Sequence, residues 1–216
     1  MNSFALFTDV SLNPRLKLGV GCYLLVPDSF LEVSPQNIER TEVAERLILR
    51  RFDAASSAEL EVRTALWAFE DCRDKWIASD IPRGFATGSV SKYNEKTIPC
   101  IEISCGLAGG SLQLKASGPL KLRLYTDSQC IAGLLKRRTG LEANRFLSRK
   151  TNLLLKNAFL YRTFYEFHDE LGFEVTKVKG HTRSCARDAV HSIFSFIDRE
   201  ARKALKLWIN EFESKY

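Results

Sequence analysis

Two short segments of the chain share one pattern of residue types, and each ends in an aspartate. Leu6-Phe7-Thr8-Asp9 and Leu124-Tyr125-Thr126-Asp127 both run apolar, aromatic, threonine, aspartate, and each closes a predicted strand. In open α/β sheets, chemistry collects beyond the carboxyl ends of the strands. If the two strands are parallel neighbours, Asp9 and Asp127 converge at one edge of the sheet. An aspartate also commonly begins a turn or caps a helix, but the matched pair favours a shared site.

Two further carboxylates stand on predicted helices. Glu61 lies on a stripe of small residues that would let its helix approach the sheet closely. A carboxylate there needs a partner, because an unpaired buried charge is costly. Glu59 is assigned instead to a capping box with Ser56 at the start of the same helix. Asp198 lies near the start of the C-terminal helix, where pairing with Arg202 one turn later is the alternative interpretation.

Acidic side chains that are drawn together repel one another unless cations neutralise them. Carboxylate and water oxygens are the ligands that suit Mg²⁺ or Mn²⁺. The carboxylates in question are Asp9, Glu61, Asp127 and Asp198. Their convergence would therefore predict divalent-cation chemistry at the sheet edge.

The elements that must position these residues are predicted from hydrophobic periodicity, which indicates one α/β domain over residues 1–216. The predicted strands are 4–9, 20–26, 47–52, 122–127 and 173–179. The predicted helices are 56–76, 128–135, 152–168 and 193 to the end. Residues 28–46 suit a loop or a short surface helix. Residues 77–120 form an insertion without an assigned structure, although alternation over 98–115 suggests a hairpin.

Composition describes an ordinary globular chain with a modest basic excess. The 216 residues are 45% hydrophobic and 27% charged with a net charge of +6, which excludes a disordered tail, a collagen-like repeat and a small disulfide scaffold. The six cysteines contain no C-x-x-C pair, which argues against a zinc or thioredoxin-type site. Without a signal-like start or an apolar run of about 20 residues, we expect a cytoplasmic protein with reduced thiols and no membrane association.

Taken in order, five motifs resemble the type 1 ribonuclease H family. They are Phe7-Thr8-Asp9-x-Ser11 with Asn13-Pro14, Glu61 with Ala65-Leu66-x-Ala68-Phe69-Glu70, Tyr125-Thr126-Asp127-Ser128-Gln129, Val178-Lys179-Gly180-His181, and Asp198-x-x-Ala201-Arg202. The resemblance implies a ribonuclease H-like fold, in which helices flank a mixed sheet of five strands. It also implies that Asp9, Glu61, Asp127 and Asp198 bind two Mg²⁺ ions, with Mn²⁺ as an alternative.

The activity that the resemblance implies is endonucleolytic hydrolysis of the RNA strand in an RNA–DNA hybrid, which leaves 5′-phosphate and 3′-hydroxyl ends. The hybrid is the expected partner, bound by a single copy of the chain. His181 follows the last predicted strand, where a mobile imidazole can shuttle protons or help the product leave.

Residues that would bind the substrate are also implied by the resemblance. Asn13 and Gln129 match family positions that contact the hybrid, and Ser56 matches a hydroxyl that helps to hold a DNA phosphate. The basic segment 136–150 resembles the protrusion with which many members grip the DNA strand. The first three basic residues of this segment are Lys136, Arg137 and Arg138.

The sequence departs from the family pattern at several positions. Val10 follows the first aspartate where the family usually has glycine, and Ala58 replaces an amide or basic side chain near the hybrid. These departures motivate an alternative function, a non-catalytic module that binds hybrids or double-stranded RNA. Asp188 and Glu200 stay open as alternatives to Asp198. An acidic exonuclease would need a D-x-E pair on the first strand, which the sequence lacks.

Overall fold

The computed structural model describes residues 3–35, 38–80, 121–179 and 188–214. The strands are β1 Ser3–Asn13, β2 Leu18–Pro27, β3 Ile48–Asp53, β4 Lys121–Thr126 and β5 Glu174–Lys177. The α-helices are α1 Arg40–Arg46, α2 Ser57–Asp80, α3 Gln129–Ala132, α4 Leu134–Ala143, α5 Ala158–Leu171 and α6 Ala189–Glu213. Within the described part of the chain, no helix is long and apolar enough to cross a membrane.

The five strands form one mixed sheet in the order β3-β2-β1-β4-β5. β1 pairs antiparallel with β2, and β2 pairs antiparallel with β3. β4 lies parallel to both β1 and β5. The predicted fold class, a mixed sheet of five strands flanked by helices, is therefore confirmed.

Side chains that alternate along β1 are buried on both faces of the sheet. Leu6 points to one apolar cluster, which α2, α3, α4 and α5 cover. Phe7 points to the other, which α1 and α6 cover. Because Leu6 and Phe7 are both fully buried, β1 is a central strand packed between two helical layers.

Helix α2 packs unusually close to β2 at Gly21. A Cβ atom at this position would lie 2.1 Å from Oγ1 of Thr64, a fully buried residue of α2. Gly21 is also the register partner of Val10, which follows Asp9. The bare backbone of Gly21 thus allows α2, with Glu61 less than one turn before Thr64, to pack closely on β2 next to Val10 of β1.

Several predicted element boundaries differ from the structure. The helix predicted at 152–168 begins at Ala158, because residues 146–155 form a tight loop in which Ser148 N–H donates to Leu153 O at 2.8 Å. Asn152 in this loop has a φ of 54°, which a helix cannot accommodate. The basic segment is largely helical, as α4, and α6 begins four residues earlier than predicted, where Asp188 caps it. The hairpin predicted over 98–115 lies outside the described residues.

Candidate active site

The two matched segments lie side by side in the sheet. Phe7 of β1 is the parallel register partner of Tyr125 of β4. Their rings stack with centroids 4.8 Å apart and planes 13° apart. Asp9 and Asp127 each follow two residues after these rings, so the repeated aromatic-Thr-Asp pattern brings both carboxylates to the end of the β1–β4 pairing. Asp9 does not close its strand as predicted, because β1 continues to Asn13 beside β2.

A cleft at this end of the sheet contains three of the four predicted carboxylates. It is lined by Thr8, Asp9, Val10, Glu61, Thr126, Asp127 and Ile131. Asp9 lies in β1, and Asp127 directly follows β4. Glu61 comes from α2, which packs on one face of the sheet.

Two hydroxyl groups hold the Glu61 carboxylate in this cleft. Ser57 donates to Oε1 at 2.8 Å from the preceding turn of α2. Ser128 donates to Oε2, and its Oγ also accepts from the Ile131 N–H at 3.1 Å as the N-cap of α3. Because Ser128 follows Asp127 directly, the α3 cap connects Glu61 to the end of β4.

Asp9 is the buried carboxylate of the cleft, with 8% of its surface exposed. Its Oδ2 atom has no hydrogen-bond partner. Burial, followed by the negative charges of Asp127 and Asp198, raises the pKa of Asp9 to about 8. In the absence of a cation, Asp9 is therefore mostly protonated at neutral pH.

Asp127 shares this electrostatic environment at the cleft entrance. Partial burial, the Glu61 charge and the Asp198 charge raise the pKa of its carboxyl group, although Lys177 opposes the rise. The neighbouring negative charges thus make Asp9 and Asp127 harder to ionise, which is the condition that a bound cation relieves.

Asp198 reaches the same group from α6, on the opposite face of the sheet from α2. Its charge acts on both Asp9 and Asp127. Its carboxylate also forms an ion pair with Arg202, with the nitrogen 2.8 Å from Oδ1, so the pairing considered as its alternative interpretation is present as well.

The two other acidic residues considered in place of Asp198 have separate partners. Asp188 caps α6 by accepting from the His191 N–H at 2.9 Å. Glu200 lies within 3.5 Å of Lys203 and 3.6 Å of Arg199. Asp198 is the residue of these three whose charge acts on Asp9.

The donor chemistry of the cleft fits a divalent cation. The buried Oδ2 of Asp9 has no hydrogen-bond partner within the protein, and the residues around it supply further carboxylate oxygens. Within the described residues, however, no three Asp, Glu, His or Cys side chains stand close enough together to form a ready-made metal cluster. Glu61 and Asp198 instead bond to serines and to Arg202.

The residues expected to bind the substrate take varied positions. Asn13 Oδ1 closes the β1–β2 turn by accepting from Arg15 N–H at 3.1 Å and Leu16 N–H at 3.2 Å. Ser56 Oγ accepts from the Glu59 N–H at 3.3 Å, as its capping role requires. Their polar atoms serve local structure, while His181 lies outside the described residues.

The three basic residues that begin the segment 136–150 differ in their partners. The Lys136 side chain is exposed. Arg137 donates to Cys130 O at 3.0 Å and to Gly133 O at 3.2 Å. Arg138 bonds to both Asp169 oxygens, one of them at 2.7 Å, and to Glu142 at 2.8 Å. Lys136 is the most available of the three for a phosphate.

One residue near the cleft has no counterpart among the sequence predictions. Lys177 ends β5 opposite Thr126 and donates a hydrogen bond to Gln129 Oε1. No local motif identifies it, because its place depends on the register between β4 and β5. The predicted strand extended to Lys179, whereas β5 ends at Lys177, so the sequence did not indicate Lys177 as the residue at the end of the strand.

Comparison with known proteins gives structural likeness alone. No protein-family model and no curated protein sequence matches the chain. Solved structures that resemble it include a foamy viral protease-reverse transcriptase in complex with double-stranded DNA, at 9% identity and a TM-score of 0.46 over 92% of this chain and 94% of that one. LC9-RNase H1, described as a type 1 RNase H with the type 2 active-site motif, has 14% identity and a TM-score of 0.48 over 94% of this chain and 70% of that one.

The RNase H domain of PFV is a third similar structure, with 10% identity and a TM-score of 0.48 over 93% of this chain and 90% of that one. The assignment of the fold depends on the sheet itself. Its five strands, with two antiparallel and two parallel pairings, form a mixed sheet flanked by helices, which is the architecture that the resemblance implied. The chain has a ribonuclease H-like fold.

Proposed function

We propose that this protein is a metal-dependent endonuclease that hydrolyses the RNA strand of RNA–DNA hybrids and leaves 5′-phosphate and 3′-hydroxyl ends. The observation that carries the proposal is the Asp9 carboxylate, which is buried with an unpartnered oxygen in a cleft that Glu61 and Asp127 also line. A protein tolerates such an uncompensated acceptor when a ligand completes it.

The metal ligands in this proposal are Asp9, Glu61, Asp127 and Asp198. Two Mg²⁺ ions, or Mn²⁺ in their place, would supply an activated water and charge stabilisation for the scissile phosphate and the leaving oxygen. The chain's own contribution is the placement of the carboxylates. Ser57 and Ser128 orient Glu61, while the strands β1 and β4 align the two aspartates.

Substrate binding in the proposal combines groups at the cleft and on α4. Gln129 is exposed beside Asp127, and Lys136 is exposed on the neighbouring helix. An A-form-like hybrid presents 2′-hydroxyls in its minor groove and phosphates on its backbone, which suit an amide and an ammonium, respectively. His181 is included as the residue that moves a proton or assists product departure.

A second function is favoured by the partners that two carboxylates already have. Glu61 accepts hydrogen bonds from two serines and Asp198 forms an ion pair with Arg202, so neither is free of protein contacts. A module that binds hybrids or double-stranded RNA without cutting them would keep such contacts permanently. Binding without cleavage is its distinguishing property.

The deciding experiment uses a hybrid whose ends are blocked, incubated with the full chain in EDTA, Mg²⁺ or Mn²⁺. The proposal expects internal RNA cuts with either metal, none in EDTA and none in a matched DNA duplex. Mass analysis of the fragments would reveal 5′-phosphates. Asp9→Asn should abolish cutting, whereas Asp53→Asn should not, because Asp53 is an exposed aspartate at the end of edge strand β3.

The results separate the two functions clearly. A protein that binds the hybrid in EDTA and never cuts it with either metal is the non-catalytic module. Undiminished cutting by Asp9→Asn would contradict the assigned site. Cutting from a free end alone would contradict endonucleolytic action.

A further inference from the structure

Lys177 lies beside the carboxylate cleft, as the last residue of β5. Its register partner in β4 is Thr126, the residue before Asp127. Its positive charge reaches the Asp127 carboxyl group, whose pKa it lowers against the larger effects of partial burial and of Glu61. The side chain is exposed to solvent. Lys177 therefore presents an accessible ammonium group at the rim of the cleft.

The Lys177 ammonium donates a hydrogen bond to Gln129 Oε1. Because an amide oxygen accepts and an amide nitrogen only donates, this bond determines which end of the Gln129 amide faces Lys177. The amide nitrogen, with its two donors, takes the other side. An ammonium has three donors, and the bond to Gln129 uses one.

Both side chains of this pair are exposed, so their remaining donors are accessible from the solvent. An A-form-like hybrid offers acceptors of the matching kinds. Its minor groove carries 2′-hydroxyls and base acceptors, and its backbone carries phosphates. A duplex of DNA lacks the 2′-hydroxyls, so donors directed at the groove would favour the hybrid.

On the basis of the proposed hybrid-cleaving function, we propose that Lys177 is a positioning residue for substrate recognition, which holds Gln129 with its amide donors toward the hybrid and itself contacts a backbone phosphate. The two contributions have different signatures. Loss of a phosphate contact changes the salt dependence of binding, whereas loss of amide orientation changes the preference for hybrid over DNA.

The test measures binding of an end-blocked hybrid and of a DNA duplex with the same sequence, in EDTA and at several salt concentrations. Lys177→Met should weaken hybrid binding roughly fivefold to tenfold and make the slope of log K against log salt shallower by about one. Lys177→Arg keeps the charge and should restore the slope. Lys121→Met is the matched control, because Lys121 is an exposed lysine at the far end of β4.

The amide contribution is tested with Gln129→Leu alone and combined with Lys177→Met. Each single change should reduce the preference for hybrid over DNA, and the double variant should reduce it no further, because Lys177 acts on this preference through Gln129. With Mg²⁺, Lys177→Met should raise KM and leave kcat unchanged, as expected when ground-state and transition-state binding weaken equally.

The inference and the proposed function fail in different ways. If the wild type binds and cuts the hybrid but Lys177→Met behaves like Lys121→Met, the role of Lys177 is wrong and the function stands. Fully additive effects of Gln129→Leu and Lys177→Met on the hybrid preference would overturn the positioning role. If the wild type binds no hybrid at all, the proposed function falls, and the inference with it.

Discussion

The acidic cleft and helix α4 hold charges of opposite sign in opposite ways. In the cleft, Asp9 is buried, one of its oxygens has no partner, and neighbouring carboxylates raise its pKa. On α4, the Arg138 guanidinium bonds to Asp169 and Glu142, which raise its pKa further above the ordinary range. The cleft leaves a buried carboxyl oxygen without a partner, whereas much of the charge on α4 is compensated within the fold.

This difference shows how charge is assigned to function or to structure. Arg138 also lies over the Tyr165 ring, 5.1 Å from its centroid, and thus joins α4 to α5 in addition to its ion pairs. Asp9 joins no second element by a side-chain hydrogen bond from its Oδ2 atom. Arg138 stabilises the fold through partners within the chain, whereas the proposed metal ligand Asp9 has an oxygen that lacks one.

The largest predicted effect comes from replacing the Asp9 carboxyl group. Asp9→Asn should reduce hybrid cleavage by at least about a hundredfold, since even an indirect partner of a metal ligand is worth about 10–100-fold. Cleavage of the end-blocked hybrid in Mg²⁺ measures the effect, with Asp53→Asn as the control. Cleavage at the wild-type rate would mean that the Asp9 carboxylate is not required for catalysis.

The pKa of Asp9 gives a prediction about stability and pH. In the metal-free fold this pKa is about 8, against about 3.9 in the unfolded chain. Since the native state keeps a proton that the unfolded chain releases, the free energy of unfolding falls as pH rises through this interval and levels off above it.

Thermal unfolding in EDTA at pH 6 and pH 8 tests this sign. The wild type should lose stability over that range relative to Asp9→Asn, which cannot ionise, by at least about 2 °C in Tm. Mg²⁺ at pH 8 should raise the Tm of the wild type more than that of the variant, because it binds the native state. Parallel pH profiles in EDTA would contradict the burial of this charge.

On α4, neighbouring cations should separate affinity from stability. Lys136→Ala should weaken hybrid binding about threefold in low salt and leave Tm unchanged, because Lys136 is exposed. Arg138→Ala should lower Tm by no more than about 4 °C, with a smaller change in affinity. Titrations and melts of both variants provide the comparison. The opposite assignment of effects would show that Arg138 leaves its partners to bind the substrate.

The smallest predicted effect concerns Arg202, which offsets part of the cleft's charge through Asp198. Arg202→Ala should lower the Mg²⁺ concentration for half-maximal cleavage about twofold, since exposed ion pairs are weak. Arg199→Ala is the control from the same helix, because Arg199 lies beside Glu200. A higher Mg²⁺ requirement in Arg202→Ala would mean that Arg202 positions Asp198 and does not compete with the cation.

Much of the sheet and the approach of the carboxylates follow from local signals. The aromatic-Thr-Asp repeat marks two segments that pair in parallel, Phe7 with Tyr125, so their aspartates lie side by side although β1 continues past Asp9 to Asn13. The Ser56 cap was also predictable, because it depends on residues within one turn. Signals of this kind act over a few residues, which is why the sequence contains them in readable form.

The unpredicted features depend on contacts between distant parts of the chain. Lys177 meets Gln129 only through the pairing of β5 with β4, and Arg138 meets Asp169 only when α4 packs on α5. The late start of α5 at Ala158 reflects a loop closed by its own backbone bonds, which outweigh helical spacing. Long-range contacts of this kind produce no periodic pattern in the sequence.

The width of the cleft depends on the absence of a side chain at Gly21. A side chain there would meet Thr64 at 2.1 Å and would displace α2 outward. Glu61 would move with α2, while Asp9 would stay with the sheet, so the spacing between the two carboxylates would widen. The size of ion that the proposed metal site would accommodate thus depends on β2, a strand that contributes no acidic side chain to the cleft.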